Sequence, residues 1–153
     1  PRLNKGETQF VKKLREYTRA HREWLKNKEL FLLRNLSQRG LRFFQTSGFY
    51  PDFVMWIRKQ DRRTIAFIDP KGIRNSGNFN DEKIQLHRNI KNIERKFGDS
   101  KLRLESFILS VSWFSEIKKT FEDGRRRKEE FERNHILFME DADLIEKLLG
   151  KLS

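Results

Sequence analysis

Three residues of this sequence have types and spacing that suit chemistry on a phosphodiester. Asp52 follows Pro51, and Asp69 and Lys71 stand in the run Ile68-Asp69-Pro70-Lys71-Gly72. Two carboxylates hold a hard divalent cation through oxygen, and Mg²⁺ typically takes one or two protein carboxylates plus water and substrate phosphate. A neighbouring ammonium can orient or help deprotonate an attacking water, or stabilise charge on the phosphorane. Such a trio suits hydrolysis. Each fragment also has a plainer reading. Asp-Pro-Lys-Gly fits a type I turn, and Tyr50-Pro51-Asp52 fits a loop that ends before a strand.

For the trio to act, the elements around it must bring it together. Phe53–Arg58 alternates and is rich in strand formers, Arg58–Arg63 reads as a charged hairpin loop, and Thr64–Asp69 reads as a second strand. Asp52 would open one strand and Asp69 end its antiparallel neighbour, so both carboxylates fall at one edge of the sheet. Asp69 and Lys71 would share a face if the chain stays extended.

The surrounding elements follow from periodicity. Residues 5–26 read as an amphipathic helix with Phe10, Leu14, Tyr17, His21 and Trp24 on one face, and Asn4 with Glu7 forms a capping box at its start. Leu30–Leu33 is a short apolar run, strand or helix end. Ser37–Gly40 and Gln45–Gly48 read as turns and Lys71–Asn80 as a loop. Asp81 caps a helix to Phe97 whose inner face is Leu86, Ile90, Ile93 and Phe97, stopped by Gly98-Asp99. Leu104–Val111 is the best candidate for a central strand buried on both faces. Trp113–Phe121 is weakly helical, Glu122–Asn134 a charge run, and His135–Met139 a short strand. Asp141–Leu149 closes as a helix capped by Asp141 and stopped at Gly150. This order predicts an α/β fold, a mixed β-sheet flanked by helices. No repeat, linker or low-complexity tract divides it, so residues 1–153 read as one domain. Its start at Pro1, without an initiator Met, suits a domain excised from a larger protein.

Charge agrees with a polyanionic partner. The 34 Lys and Arg outnumber the 22 Asp and Glu, for a net +12. Residues 1–48 carry +8, residues 49–100 carry +4, and the last third is neutral. Nucleic acid is the commonest partner of such a surface, through phosphate contacts and counterion release. The 14 Phe and 3 Trp exclude a disordered basic tail. The absence of Cys excludes disulfide scaffolds, thiolate metal sites and thiol nucleophiles. No apolar run is long enough to span a bilayer and no signal-peptide pattern opens the chain, so the expected location is the cytoplasm, with no membrane partner. No P-loop is present, so any motor belongs to another domain or subunit.

Phe49-Tyr50-Pro51-Asp52-Phe53, a hairpin, then Phe67-Ile68-Asp69-Pro70-Lys71-Gly72 resembles the bipartite motif of the PD-(D/E)XK nuclease superfamily. More narrowly, it is similar to nuclease-like domains attached to DEAD/DEAH-box helicase subunits of type III restriction and related phage-defence systems. The match is sharp over residues 49–73 and only compatible elsewhere. The resemblance implies a restriction-endonuclease-like fold and Mg²⁺-dependent DNA cleavage, with Mn²⁺ as a substitute. It implies Asp52, Asp69 and Lys71 as the catalytic set, and a helicase or translocase as partner. Double-strand cutting by one such site would need a homodimer or sequential nicks. Pro70 departs from a regular strand, since it removes a backbone donor, and that implies a tilted Lys71.

Supporting positions are weaker. The resemblance makes Glu7 a further metal ligand, whereas its own position reads as the capping box. Arg74, Lys83 and Gln85 are candidate DNA contacts, although Gln85 and His87 read more readily as exposed polar positions. Arg125–Lys128, surrounded by acids, reads as a solvated segment. His21, His87 and His135 are too scattered for a metal cluster. Two rival functions stand beside the nuclease: a catalytically silent DNA-binding module of a helicase-containing complex, and a protein-interaction domain meeting an acidic partner.

Overall fold

The computed structural model describes residues 2–36 and 50–153. Its elements are α1 (Lys5–Ala20), α2 (Arg22–Leu25), β1 (Glu29–Arg34), β2 (Phe53–Lys59), β3 (Arg62–Asp69), α3 (Glu82–Phe97), β4 (Leu102–Ser110), α4 (Phe114–Thr120), a 3₁₀ turn at Glu122–Gly124, α5 (Lys128–Arg133), β5 (Ile136–Phe138) and α6 (Leu144–Leu152). The five strands form one mixed sheet in the order β1-β2-β3-β4-β5. Pairing is antiparallel from β1 to β3 and parallel from β3 to β5. The α/β expectation therefore holds. The two turns expected at 37–40 and 45–48 lie outside the described residues.

Alternation along the strands builds both sides of the sheet. Phe53, Met55, Ile57, Ala66, Ile68, Phe107 and Leu109 meet Phe10 and Leu14 of α1 and Leu144, Leu148 and Leu152 of α6. On the opposite side Val54, Phe67 and Leu104 meet Leu86 and Ile90 of α3. A third cluster gathers Ile108, Ile136 and Phe138 against Ile117, Phe121 and Phe131, under α4 and α5. The long apolar run is the central strand β4, buried from Leu104 to Ser110. Strands β3 and β4 are parallel, so the chain must cross over between them, and α3 is that crossover.

Several sequence expectations need correction. The first helix breaks at His21, whose φ of −122° and ψ of 53° are not helical, so the 5–26 helix is two. The inner face of α3 is Ile84, Leu86, His87 and Ile90, while Ile93 and Phe97 are exposed. Those two share the angular face of Leu86 and Ile90. However, the last turns of α3 run toward the end of the sheet where β3 and β4 begin, and no apolar layer covers them there. His87 is buried, not exposed. Gly150 does not stop α6, which continues to Leu152. Asp141 caps nothing through its side chain and instead takes Lys128 and Lys147. The charged hairpin loop shrinks to Gln60-Asp61, with Gln60 at φ 55°.

The edge of β4 shows how side chains substitute for a missing strand. β5 is three residues long and pairs with Ile108–Ser110, so that among the described residues the earlier part of β4 has no strand beside it on that side. Glu94 accepts from Leu104 N at 2.7 Å, Lys91 Nζ donates to Leu104 O at 2.8 Å, and His135 Nδ1 meets Ser106 O at 3.0 Å. Buried backbone groups need partners, and here α3 and the residue before β5 supply them.

Candidate active site

The β2–β3 register pairs Phe53 with Ile68, so Asp52 and Asp69 stand one step further along, directly opposite each other. Asp69 is the last residue of β3 and is 2% exposed. Asp52 precedes β2, held by the residues after β1. Asn35 N donates to Asp52 O at 2.8 Å, and Asn35 Nδ2 donates to Pro51 O at 2.9 Å. Sequence reasoning missed Asn35; its only signal was a polar residue closing the Leu30–Leu33 run.

Lys71 completes the group. Its Nζ lies 3.4 Å from Asp69 Oδ1 and 4.0 Å from Asp52 Oδ1. The strand ends before Pro70, so the missing proline N–H breaks no ladder bond. Lys71 N instead closes a three-residue turn onto Asp69 O at 3.0 Å, a shape that proline's fixed φ favours. Asp69 and Lys71 do not share an extended face as expected, yet the lysine still reaches both carboxylates.

The electrostatics of the pair are strained. Burial pushes the Asp69 carboxyl up to about 7; Lys71 opposes this rise and the facing Asp52 adds to it. Among the described residues Asp52 Oδ2 and Asp69 Oδ1 are buried with no hydrogen bond of ordinary geometry, and Lys71 approaches the latter at 3.4 Å as an ion pair. Two inward carboxylates with orphaned oxygens fit a cation-holding role. Among the described residues no three His, Cys, Asp or Glu side chains gather around one point. A cation here would rest on the Asp52–Asp69 pair, with water and substrate oxygens completing its shell.

The other candidates divide. Glu7 is buried, and its Oε2 accepts from Asn4 N at 2.9 Å while Asn4 Oδ1 accepts from Glu7 N at 2.8 Å, the predicted capping box. The same Oε2 takes Arg34 at 2.9 Å, so the structure does not gather Glu7 with the two aspartates. Lys83 lines a cavity of about 160 Å³ together with Asp69, Lys71 and Asp81. Arg74 donates to Ser112 Oγ at 3.2 Å and pairs with Glu116 at 2.9 Å. Gln85 Nε2 donates to Phe79 O at 2.6 Å, which tethers the loop before α3. His87 and His135, expected to be scattered, stack at 4.7 Å, while His21 stacks on Tyr17 at 4.0 Å.

A larger cavity of about 600 Å³ adjoins the trio, with Lys71 as the shared wall. It lies between the first turn of α1, the end of β3 and the segment after β4. Gly6 makes that approach possible: a Cβ there would sit 2.8 Å from Val111 Cγ1 and 3.3 Å from Pro70 O.

Comparison with protein-family models, with curated proteins and with solved structures finds no match to this chain. Among the described residues no helix is long and apolar enough to cross a membrane.

Proposed function

We propose that the chain is a divalent-metal-dependent endonuclease domain that hydrolyses phosphodiester bonds in DNA, with a restriction-endonuclease-like arrangement of the PD-(D/E)XK kind. The observation that carries this reading is the convergence of Asp52, Asp69 and Lys71 at one end of the β2–β3 pair, with a buried oxygen of each carboxylate making no hydrogen bond among the described residues. Two facing buried carboxylates are costly when both are ionised, and a bound cation or a proton on Asp69 relieves that cost.

Asp52 and Asp69 would hold Mg²⁺, with Mn²⁺ as a substitute. When bound, the ion polarises the scissile phosphate and makes its water more acidic. Lys71 remains half-exposed beside the pair, where its ammonium orients the attacking water or offsets charge developing on the phosphate. Lys83, lining the adjoining small cavity, adds positive charge where substrate phosphates approach. Arg74 is committed to Glu116, so its contact with DNA would require exchange of that ion pair. The surplus charge of residues 1–100 supplies the sequence-independent attraction. Coupling to a helicase or translocase in restriction or phage defence rests on the motif's resemblance alone.

The silent DNA-binding module is favoured by one observation, the lack of a third ligating side chain beside the aspartates among the described residues. Plasmid and single-stranded DNA incubated with EDTA, Mg²⁺ or Mn²⁺ separate the two. Cutting that needs metal and is lost in Asp69→Ala and Lys71→Ala supports the nuclease. DNA binding without cutting, unchanged by Asp52→Ala, supports the silent module. Equal cutting by parent and both variants sinks the site assignment.

A further inference from the structure

The 600 Å³ cavity beside Lys71 has a feature the catalytic trio does not explain. Trp113 lies on its wall with 63% of its surface exposed, and Val111 beside it is 43% exposed. Exposure alone does not set Trp113 apart, since Phe97 is as open, but here two adjacent apolar side chains share the wall of a cavity with the charged Lys71. The ring is carried on a fixed backbone. Trp113 O accepts from Glu116 N and Ile117 N at 3.1 and 3.2 Å, so the residue starts α4. Phe114 N is tied to Glu140 Oε2 at 3.0 Å, and Ser110 Oγ donates to Ser112 O at 2.8 Å. The residues flanking the indole on both sides are thus anchored. That suits a platform better than a flexible lid.

The rest of the lining defines the ligand. Lys5 and Lys71 bring positive charge, and the one acid, Glu140, is already engaged by Phe114 N. Gln9, exposed on α1, presents an amide that can both donate and accept. An aromatic face, two ammonium groups and an amide, sharing a wall with a phosphodiester-cleaving centre, match one nucleotide whose base is unpaired. A base still inside a duplex keeps both faces stacked on its neighbours and offers none to an indole.

We infer that Trp113 is a stacking platform for an unpaired nucleobase next to the scissile phosphate, giving the domain a preference for single-stranded or frayed DNA. This rests on the nuclease reading for the identity of the substrate, but its test does not require cleavage. Base–aromatic stacking is worth enough that alanine substitution weakens binding by about 5-fold or more.

The experiment measures binding in EDTA by fluorescence anisotropy, using the 153-residue chain and three probes: a labelled oligo-dT, a duplex containing it, and an oligonucleotide of abasic sites with equal charge. Unlabelled thymidine monophosphate serves as competitor. The inference expects Trp113→Ala to weaken oligo-dT at least about 5-fold, Trp113→Phe to retain most of the affinity, and the abasic strand to bind parent and Trp113→Ala alike. Unchanged melting temperature shows that the exposed substitution has not unfolded the protein. Equal affinity of parent and Trp113→Ala for oligo-dT overturns the platform, and Asp69-dependent cleavage in the same preparation would leave the nuclease standing. An equal loss for the abasic strand also overturns it, because charge or shape would then explain the defect. Competition by the mononucleotide at concentrations matching the oligonucleotide's own affinity overturns the strand assignment and makes the cavity a free-nucleotide site. A parent that binds none of the three probes overturns the platform, while the nuclease reading stands or falls on metal-dependent cleavage in the same preparation.

Discussion

Lys71 Nζ lies 3.4 Å from Asp69 Oδ1 although Pro70 stands between the two residues. In an extended strand the intervening residue would simply point to the other face. Here the strand has ended, and the proline turns the chain so that Lys71 N returns to Asp69 O at 3.0 Å. The chain thus closes a three-residue turn instead of the type I turn that Asp-Pro-Lys-Gly fits, and that turn still brings Lys71 to both carboxylates. Val111 N then meets Lys71 O at 3.4 Å, which ties the turn to the end of β4.

The orphaned carboxylate oxygens make metal binding measurable without any substrate. Mg²⁺ or Mn²⁺ at about 100 times its dissociation constant should stabilise the parent by about 2.7 kcal/mol, a melting shift on the order of 5–10 °C. Asp69→Asn should lose this shift. In EDTA the same variant should be more stable than the parent by about 1 kcal/mol, since one of two facing buried carboxylates is gone. Thermal melting with and without metal checks both signs. A metal shift that persists in Asp69→Asn would remove the pair as the binding site.

How much of this was legible in the sequence follows from the range of each interaction. The Asn4–Glu7 capping box, the α3 start at Asp81 and its stop at Gly98 are local, and each stands where residue type puts it. The Asp52–Asp69 juxtaposition was legible because a short hairpin fixes the register between them. What stayed hidden depends on distant partners. His87 looked like an exposed polar residue until β5 brought His135 against it. Asn35 gives no sign in isolation that it will hold the segment before β2. Trp113 reads as an ordinary start to a weak helix, and only the neighbouring α1 turns its surroundings into a cavity.

Gly6 should resist substitution for a reason of space. A Cβ would meet Val111 Cγ1 at 2.8 Å and Pro70 O at 3.3 Å, pushing the first turn of α1 off the end of β3. Gly6→Ala would ordinarily gain helix stability. Here a net loss of about 1 kcal/mol is expected, with weaker cleavage because Lys71 and its cavity wall shift. Adding Val111→Ala should restore at least half of the lost stability in chemical denaturation. No rescue would mean that Pro70 O, not Val111, sets the limit.

The buried carboxylate of Glu105 depends on α3. Lys91 Nζ donates to its Oε1 at 2.8 Å and to Leu104 O at 2.8 Å, and Arg103 Nε adds a bond at 2.7 Å. Lys91→Met keeps the apolar stem but strips one charge partner and one edge donor. It should cost about 2–3 kcal/mol in urea unfolding. Glu105→Gln in the same chain should recover at least about 1 kcal/mol, because the buried charge, left with Arg103 but without Lys91, is then absent. Additive losses in the double variant would show that the two side chains act independently.

The two stacked histidines predict an acid-sensitive fold. Burial lowers the His87 pKa to about 4, with the His135 ring and Arg88 acting in the same direction and Asn134 and Glu105 opposing. Burial also lowers His135, while its bond to Ser106 O and the nearby Glu105 work against the shift and Lys151 and Lys91 add to it. A histidine depressed in the folded state binds its proton first in the unfolded chain. Its effect on stability is therefore absent above the unfolded value near 6.5 and grows as pH falls from there toward 4. For His87 alone the loss over that window is on the order of 3 kcal/mol. The raised Asp69 carboxyl acts in the opposite sense, taking up its proton first in the folded state as pH falls from about 7, so urea unfolding at pH 7.5, 6, 5 and 4.5 should show the decline in Asp69→Asn, which serves as the parent for this comparison. His87→Leu should flatten it, leaving the contribution of His135 and whatever the other carboxylates add at the acid end. A slope in His87→Leu as steep as the parent's would place the acid sensitivity elsewhere in the chain.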